Sequence, residues 1–359
     1  MIRFLIRRIL GGAFVVLVVT LAVFVLFGPV LTWKSNISPA RLYAGKNPSP
    51  QQIESVKALL GLDQPYYVQY AYTLRRLVVG PTQEERDRVC PGSTAAECDQ
   101  LLGRFGSSFA KQRSVDSLIW SRFPVTLSLA VVAALIWMLI SIPIGVLSAI
   151  RPRSLLDRSS TVFVLIGQSL PVYYIGLLAI YFLAYKFEIF PLSGYETFSL
   201  SNPWPWLYHL LLPATVLALQ FAAIYVRITR SQMLDTLNED YVRTARAKGA
   251  SESRVVVRHA LRNASLPIVT MFGLDLGLLL GGAILIEVTF GLQGLGALAV
   301  EAAKRLDVPT TAGIVLFSAI LIVVANIIVD VVCATLDPRI SHSQTHRRCR
   351  APGPRRPSG

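Results

Sequence analysis

Residues 227–270 read RITRSQMLDTLNEDYVRTARAKGASESRVVVRHALRNASLPIVT, a polar and basic stretch between two long apolar runs at 207–226 and 264–290. Each run is long enough to cross a bilayer, which takes about 20 predominantly apolar residues in a helix. A basic segment held between two membrane spans has few roles other than contact with a soluble partner on the cytoplasmic side. The sequence therefore predicts a membrane-embedded component of a larger machine.

The composition of the whole chain agrees with a membrane protein. Of 359 residues, 53% are hydrophobic, and the mean hydropathy of +0.52 is high for a soluble protein. We predict an all-α membrane protein with six transmembrane helices and a small extracytoplasmic subdomain after the first span. The predicted spans cover residues 9–31, 118–150, 160–185, 207–226, 264–290 and 310–336.

Basic residues in the short loops predict the orientation. Arginines and lysines are concentrated at the N-terminus, after the second and fourth spans, and in the C-terminal tail. With six spans all four segments lie on one side, so both termini are predicted to be cytoplasmic. The net charge of +14 lies largely in these segments, where anionic lipids attract it, and implies no nucleic-acid partner. The predicted divisions are 1–31 (tail and first span), 32–117 (extracytoplasmic), 118–340 (five-helix core) and 341–359 (disordered basic tail).

The central segment, 227–263, reads as two helices joined by a turn. A helix from Thr229 to Lys248 is predicted to end at Gly249 in the left-handed conformation. Ser251 then suits the N-cap of a second helix over about 252–262. A DNA-binding helix–turn–helix is the alternative, but two membrane anchors leave no domain free to reach a duplex.

Several motifs carry a resemblance to a known family. The segments DYVRTARAKG (240–249) and HALRN (259–263), followed by Pro267, resemble the cytoplasmic coupling loop, or EAA loop, of ABC-transporter permeases. The likeness is strongest to the dipeptide, oligopeptide and nickel branch, in which an arginine such as Arg243 replaces an acidic residue of the general importer pattern. Further matches are LGLDQP (60–65), GRFGSS (103–108), FGLQGLG (290–296), Asn326, Asp330 and LDPR (336–339).

The resemblance implies a type I ABC importer permease fold, similar to the first permease of dipeptide importers. It implies a homologous second permease, two ABC ATPase subunits that bind ATP and Mg²⁺, and an extracytoplasmic substrate-binding protein, in a bacterial cell membrane. No cofactor is expected in this chain, which lacks the phosphate-binding pattern G-x-x-x-x-G-K-[ST]. The implied cargo is a dipeptide or oligopeptide, with nickel or another small solute as the alternative. The residues implied to contact the ATPase are Arg243, Thr244, Ala245, Ala247, Lys248, Gly249, Ala250 and Ser251.

Two other classes of function remain as alternatives at this point. An ATP-independent channel or secondary transporter would typically show internal repeats, and the sequence shows none. A membrane enzyme would need reactive side chains that converge near one interface, and no catalytic set is apparent. The chain is therefore predicted not to be an enzyme.

Polar residues within the predicted spans are candidates for a translocation path, because charged groups in a bilayer are costly and face the bundle or a water-filled route. The alternatives are hydrogen bonding between helices, snorkelling for Glu287 near a span end, and a packed kink at Ser169 and Pro171. The path candidates are Gln168, Ser169, Asp275, Asn326 and Asp330.

Cys90 and Cys98 lie in a predicted insertion at 81–100 of the external segment. An extracytoplasmic compartment permits a disulfide between them, and two free thiols are the alternative. No cysteine, histidine or carboxylate cluster has metal-ligand spacing.

Overall fold

The computed structural model describes residues 2–30, 40–41, 49–59, 62–89, 98, 100–108, 110–281 and 283–336. These residues form helices and contain no β-strand, which confirms the all-α prediction. The predicted tail at 341–359, the LDPR residues 337–339 and Cys90 lie outside them. Cys98 is buried and belongs to a disulfide bond. Because Cys90 lies outside the described residues, its pairing with Cys98 stays a prediction.

Fourteen helices follow one another in the described residues, and three π-helical segments extend or join them. The π-helical segments are Leu26–Val30 after α1, Ile180–Lys186 after α7, and Val255–Leu261 between α10 and α11. The helices are α1 (Ile2–Val25), α2 (Pro50–Leu59), α3 (Tyr66–Val79), α4 (Gln83–Val89), α5 (Val115–Ile150), α6 (Leu155–Ser169), α7 (Val172–Ala179), α8 (Trp204–Leu237), α9 (Asp240–Ala247), α10 (Glu252–Arg254), α11 (Arg262–Leu280), α12 (Ile284–Thr289), α13 (Leu295–Lys304) and α14 (Val308–Leu336).

The candidate spans among the described helices are of two kinds, single helices and bent pairs. Four are long and apolar enough to cross a membrane by themselves, in α1, α5, α8 and α14. Two bent pairs of helical segments bring the number to six if each pair is one span. The first pair is Leu155–Ser169 with Val172–Lys186, and the second is Glu252–Ser265 with Pro267–Leu280. The second pair bends by 49° at Pro267.

The predicted third span, 160–185, contains a sharp bend next to Pro171. The chain bends by 99° between Leu155–Ser169 and Val172–Lys186. Leu170 is extended, with φ −100° and ψ 134°, because the ring of Pro171 disfavours helical backbone in the residue before it. Proline also lacks the N–H that would continue the helix.

The bounds of two other predicted spans also differ. The fifth, 264–290, ends early: α11 stops at Leu280, and the short helix α12 follows separately. Ser318 of α14 donates to the carbonyl of Gly281 at 3.1 Å, which satisfies one group at this helix end. The fourth, 207–226, continues as helix to Leu237, because helix periodicity persists after the apolar run ends.

Aromatic rings fill the core between α5, α8 and α11. Trp137 of α5 is fully buried; it stacks on Phe221 with ring centroids 4.8 Å apart, and meets Phe272 edge-on at 5.7 Å. About two turns further along α5, a Cβ added at Gly145 would lie 2.6 Å from the Cβ of Thr229. This glycine therefore lets α5 and α8 approach closely, as small residues do in membrane bundles.

The segment before α5 is joined to the turn between α13 and α14. Lys111 forms an ion pair with Glu301 at 2.8 Å, and the hydroxyl of Ser108 donates to the carboxylate of Asp307. The ring of Phe105 packs edge-on against Phe317. These contacts fix the start of α5 against α13 and the first part of α14.

Candidate functional site

The residues predicted to contact an ATPase lie on α9 and on the turn that follows it. Gly249 has φ +80°, the left-handed conformation that the sequence predicted. Its N–H donates to the carbonyl of Arg246 at 2.9 Å, and the N–H of Ala250 donates to the carbonyl of Ala245 at 3.2 Å. These two bonds form a Schellman motif, which ends α9 sharply.

The two predicted helices of this segment have different bounds in the structure. The first is not continuous over 229–248, because α8 ends before Asn238 and α9 begins after Glu239. The side chain of Asn238 donates to the carbonyl of Leu234 at 2.9 Å and so competes with helix continuation. The second does not stop near 262 but runs into α11, and Ser251, although extended as an N-cap should be, makes no side-chain cap bond.

Three contacts hold α9 in place. Val242 is fully buried, and the side-chain amide of Asn263 donates to the hydroxyl of Tyr241 at 2.7 Å. The guanidinium of Arg246 donates to Glu252 through Nε at 2.8 Å and through Nη2 at 3.2 Å. This ion pair is exposed, so its effect is on orientation more than on stability. These contacts therefore hold α9 against α10 and the start of α11.

The rest of α9 and its turn is accessible. A Cβ built on Gly249 meets nothing within 4 Å, so this chain requires the glycine for its backbone angle rather than for space. Ala245 and Ala250 are half-buried. The other predicted coupling residues are exposed: Arg243, Thr244, Ala247, Lys248, Gly249 and Ser251.

Apolar side chains join this helix–turn–helix to the bundle. They form what we name the basal cluster: Ala149 of α5, Met233 of α8, Val256 and Ala260 of the π-helical segment, and Ala264 of α11. All five are buried. The cluster therefore packs the π-helical segment that follows α9 against α5, α8 and α11.

The five path candidates do not converge on one another. Tyr225 donates to Asp275 at 2.7 Å between α8 and α11, and Arg8 pairs with Asp330 at 2.9 Å between α1 and α14. Ser169 donates back to the carbonyl of its own helix, four residues earlier. Gln168 is exposed and Asn326 is half-buried. Within the described residues, no hydrogen bond or ion pair joins two of the five.

Glu287 does not snorkel to the membrane surface, so that alternative is wrong. Its side chain is fully buried. The carboxylate accepts a hydrogen bond from the hydroxyl of Thr126 at 2.7 Å and another from the N–H of Ala297 at 3.0 Å. These bonds stabilise a buried carboxylate, and they connect α5, α12 and α13.

No metal centre is evident in the part of the chain that the structure describes. There, no group of three or more histidine, cysteine or carboxylate side chains could hold an ion.

The partners of the acidic groups Asp275, Glu287 and Asp330 could not be recognised in the sequence. Arg8, Thr126 and Tyr225 lie 50 residues or more from the groups they bind. The sequence shows an arginine beside an apolar run and a threonine within one, but their spacing does not indicate which group each binds.

Comparison with known proteins decides the family. Residues 141–342 match the model of the binding-protein-dependent transport system inner membrane component, and residues 1–130 match the N-terminal model of the same membrane components. The chain belongs to this permease family. It is 37% identical over 344 residues to the oligopeptide transport system permease protein AppB of Bacillus subtilis, covering 95% of this chain and 100% of that protein. It is 33% identical over 329 residues to the probable peptide ABC transporter permease protein y4tP of Sinorhizobium fredii, covering 91% and 97%.

Membership of the family confirms several predictions. The permease is a multi-pass membrane protein with the all-α type I importer fold, and it is a transporter subunit rather than an enzyme. Permeases of ABC importers work with ATPase and substrate-binding partners. The alternatives of a membrane enzyme and of an ATP-independent channel or secondary transporter gain no support.

Proposed function

We propose that this permease forms half of the translocation pore of an ATP-driven importer for dipeptides or oligopeptides. The names of both relatives described above support a peptide as the cargo, since each is called a peptide or oligopeptide permease. The similarity covers nearly the full length of each relative. Nickel and other small solutes were the alternative, and these relatives do not favour it.

The observation that carries the proposal is the accessible helix α9 between two long helices. It is terminated sharply at Gly249 and contacts the π-helical segment Val255–Leu261, which the basal cluster joins to α5, α8 and α11. A short, fixed, exposed helix with this support suits docking into a groove on an ATPase subunit. Its contact residues are Arg243, Thr244, Ala245, Ala247, Lys248, Gly249, Ala250 and Ser251.

We propose the following partners. A homologous second permease completes the pore, two ABC ATPase subunits bind ATP and Mg²⁺, and an extracytoplasmic binding protein delivers the peptide. This chain itself needs no cofactor. Membrane lipids surround the exposed apolar side chains of α1, α6 and α7.

The permease lies in a bacterial cell membrane with both termini in the cytoplasm. The basal cluster supports this orientation, because Ala149 and Met233 place the basic α5–α6 turn at the same end of the bundle as α9. Arg151 and Arg153 in that turn, and Arg158 in the first turn of α6, are exposed, as the positive-inside rule predicts for a cytoplasmic loop. Cysteines at Thr244 and at Arg113 would then react with a membrane-impermeant thiol reagent from opposite sides.

Of the path candidates, Gln168 and Ser169 are best placed to line the route. They lie at the 99° bend between α6 and α7, and both are exposed within this chain. Asp275 and Asn326 remain candidates on α11 and α14. Asp330 is held by Arg8, which favours a role in attaching α1 to α14.

Copurification and uptake test the proposed function. The permease is pulled down in detergent from its native membrane, the bound proteins are identified, and the assembly is reconstituted into vesicles. We expect a second permease, ATPase subunits and a binding protein, together with ATP-dependent uptake of labelled di- and oligopeptides. Uptake of nickel without peptide would contradict the proposed cargo, and recovery of this chain alone would contradict the importer.

A further inference from the structure

Asp157 and Arg230 form a two-point ion pair between α6 and α8. The Nε of Arg230 donates to Oδ1 of Asp157 at 2.6 Å, and its Nη2 donates to Oδ2 at 2.9 Å. The side chain of Asp157 is 8% exposed. The side chain of Arg230 is 32% exposed, and a partly buried ion pair adds little to stability because desolvation of the carboxylate offsets the attraction. Its presence therefore points to a role in geometry rather than in stability.

The same carboxylate also fixes the turn between α5 and α6. The N–H of Arg153 donates to Oδ2 of Asp157 at 2.9 Å. Arg153 has φ +64°, a left-handed conformation that is strained for arginine and persists only where the surroundings impose it. Ser154, the N-cap of α6, accepts from the N–H of Asp157 at 3.2 Å. One side chain thus holds the turn, the first turn of α6 and α8 together.

Arg230 lies near the end of α8, close in sequence to α9. It comes about two turns before α8 ends and α9 begins. Its neighbour Thr229 packs against Gly145 of α5, and Met233, on the next turn, belongs to the basal cluster. Only Asn238 and Glu239 separate α8 from α9, so a displacement of α9 would reach Arg230 along the last two turns of α8 and through the packed side chains of the basal cluster.

On the other side of the pair, α6 leads toward the far end of the bundle. Ser160 shares a hydrogen bond of 2.8 Å with Ser148 of α5, and Gly167 lies close to Ala223 of α8. After the bend, Gly176 of α7 is close to Phe290 and Thr289, so α7 packs against α12. The Asp157–Arg230 pair is the charged contact at the start of this route.

We propose that Asp157 and Arg230 are positioning residues that carry the displacement of α9 to α6 and α7 during the transport cycle. A two-point guanidinium–carboxylate contact has one preferred geometry, so α6 follows α8 rather than sliding past it. The proposal rests on the proposed function, because it assumes that α9 receives motion from an ATPase.

The test separates coupling from folding by measuring ATP hydrolysis and peptide uptake in the same vesicles. The variants are Arg230→Lys, which keeps the charge but loses the two-point geometry, and the double variant Asp157→Asn with Arg230→Gln, which leaves no unpaired charge. The matched control is Arg227→Gln, which removes an exposed arginine from the same helix. Recovery of the partner subunits measures assembly.

Both variants are expected to assemble and to hydrolyse ATP at close to the wild-type rate, while peptide transported per ATP falls about tenfold in the double variant and less in Arg230→Lys. Arg227→Gln keeps the wild-type ratio. An unchanged ratio in the double variant would overturn the proposal. So would loss of assembly in both variants, because it would show a purely structural role. If the wild-type complex itself moves no peptide, the proposed function fails, whatever the variants do.

Discussion

Thr126 of α5 donates a hydrogen bond of 2.7 Å to the carboxylate of Glu287 on α12, at a place where both side chains are buried. The oxygen of Thr126 also accepts from the N–H of Leu295 at 2.8 Å, at the start of α13. A single hydroxyl therefore joins one spanning helix to two short helices that follow the break in the predicted fifth span.

This relationship predicts the effect of removing the hydroxyl. Thr126→Val keeps the shape of the side chain but leaves the N–H of Leu295 and one oxygen of Glu287 without a partner. The free energy of unfolding should fall by about 1–3 kcal/mol, the cost of an unsatisfied buried polar group. Denaturant unfolding of the purified permease in detergent measures it. Thr126→Ser is the control, and equal stability of the two variants would refute the account.

The space around Glu287 predicts that Gly294 tolerates no side chain. A Cβ at Gly294 would lie 2.4 Å from the carboxyl carbon of Glu287, whereas a Cβ at Gly11 in α1 meets nothing within 4 Å. Gly294→Ala should lower stability by about 1–3 kcal/mol through overpacking, while Gly11→Ala should not. Thermal unfolding of the two variants in parallel makes the comparison, and indistinguishable midpoints would count against the described packing.

The left-handed backbone of Gly249 predicts which substitutions uncouple the permease. Asparagine and aspartate both tolerate this conformation, so they differ at this site mainly in charge. Gly249→Asp should insert in the membrane normally but abolish ATPase stimulation and uptake, because it places a charge in the contact with the ATPase. Gly249→Asn should retain more activity. Normal transport by Gly249→Asp would remove the coupling assignment from α9.

The ion pair between Lys111 and Glu301 predicts a dependence on pH. The hydrogen bond from Lys111 lowers the pKa of Glu301 below its ordinary value near 4.5. Its contribution to stability is therefore fully present above that ordinary value and is lost as the pH falls through the lower pKa of the folded state. The midpoint temperature of thermal unfolding should thus be higher for the wild type than for Glu301→Gln at neutral pH, and this difference should shrink in acid. A difference that is constant with pH would contradict the ion pair; Glu196→Gln, in the α7–α8 loop, is the control.

Local backbone rules explain what the sequence predicted well. Gly249 followed a polar helix, and its left-handed angle is what the structure shows. Pro171 signalled a kink but not its size, since the bend of 99° depends on how α7 packs against α12 as well as on the proline. The apolar run 264–290 did not reveal the end of α11 at Leu280, because hydrophobicity alone does not distinguish an apolar turn from a helix.

Pairings between distant groups could not be predicted from one sequence. Asp157 and Arg230 are 73 residues apart, and Thr126 and Glu287 are 161 apart. Each residue alone was compatible with several partners, and only the packing of the helices selects among them. The coupling segment was predictable because it is local, whereas the contacts that connect it to the rest of the bundle are not.

Photo-crosslinking from α9 tests the central claim most directly. A photoreactive amino acid replaces Ala247, which is exposed on α9, or Ala303, which is exposed on α13, in the assembled complex. The account predicts that Ala247 captures an ATPase subunit and that Ala303, on the opposite face of the membrane, does not. Capture of an ATPase from Ala303, with none from Ala247, would contradict both the coupling surface and the orientation.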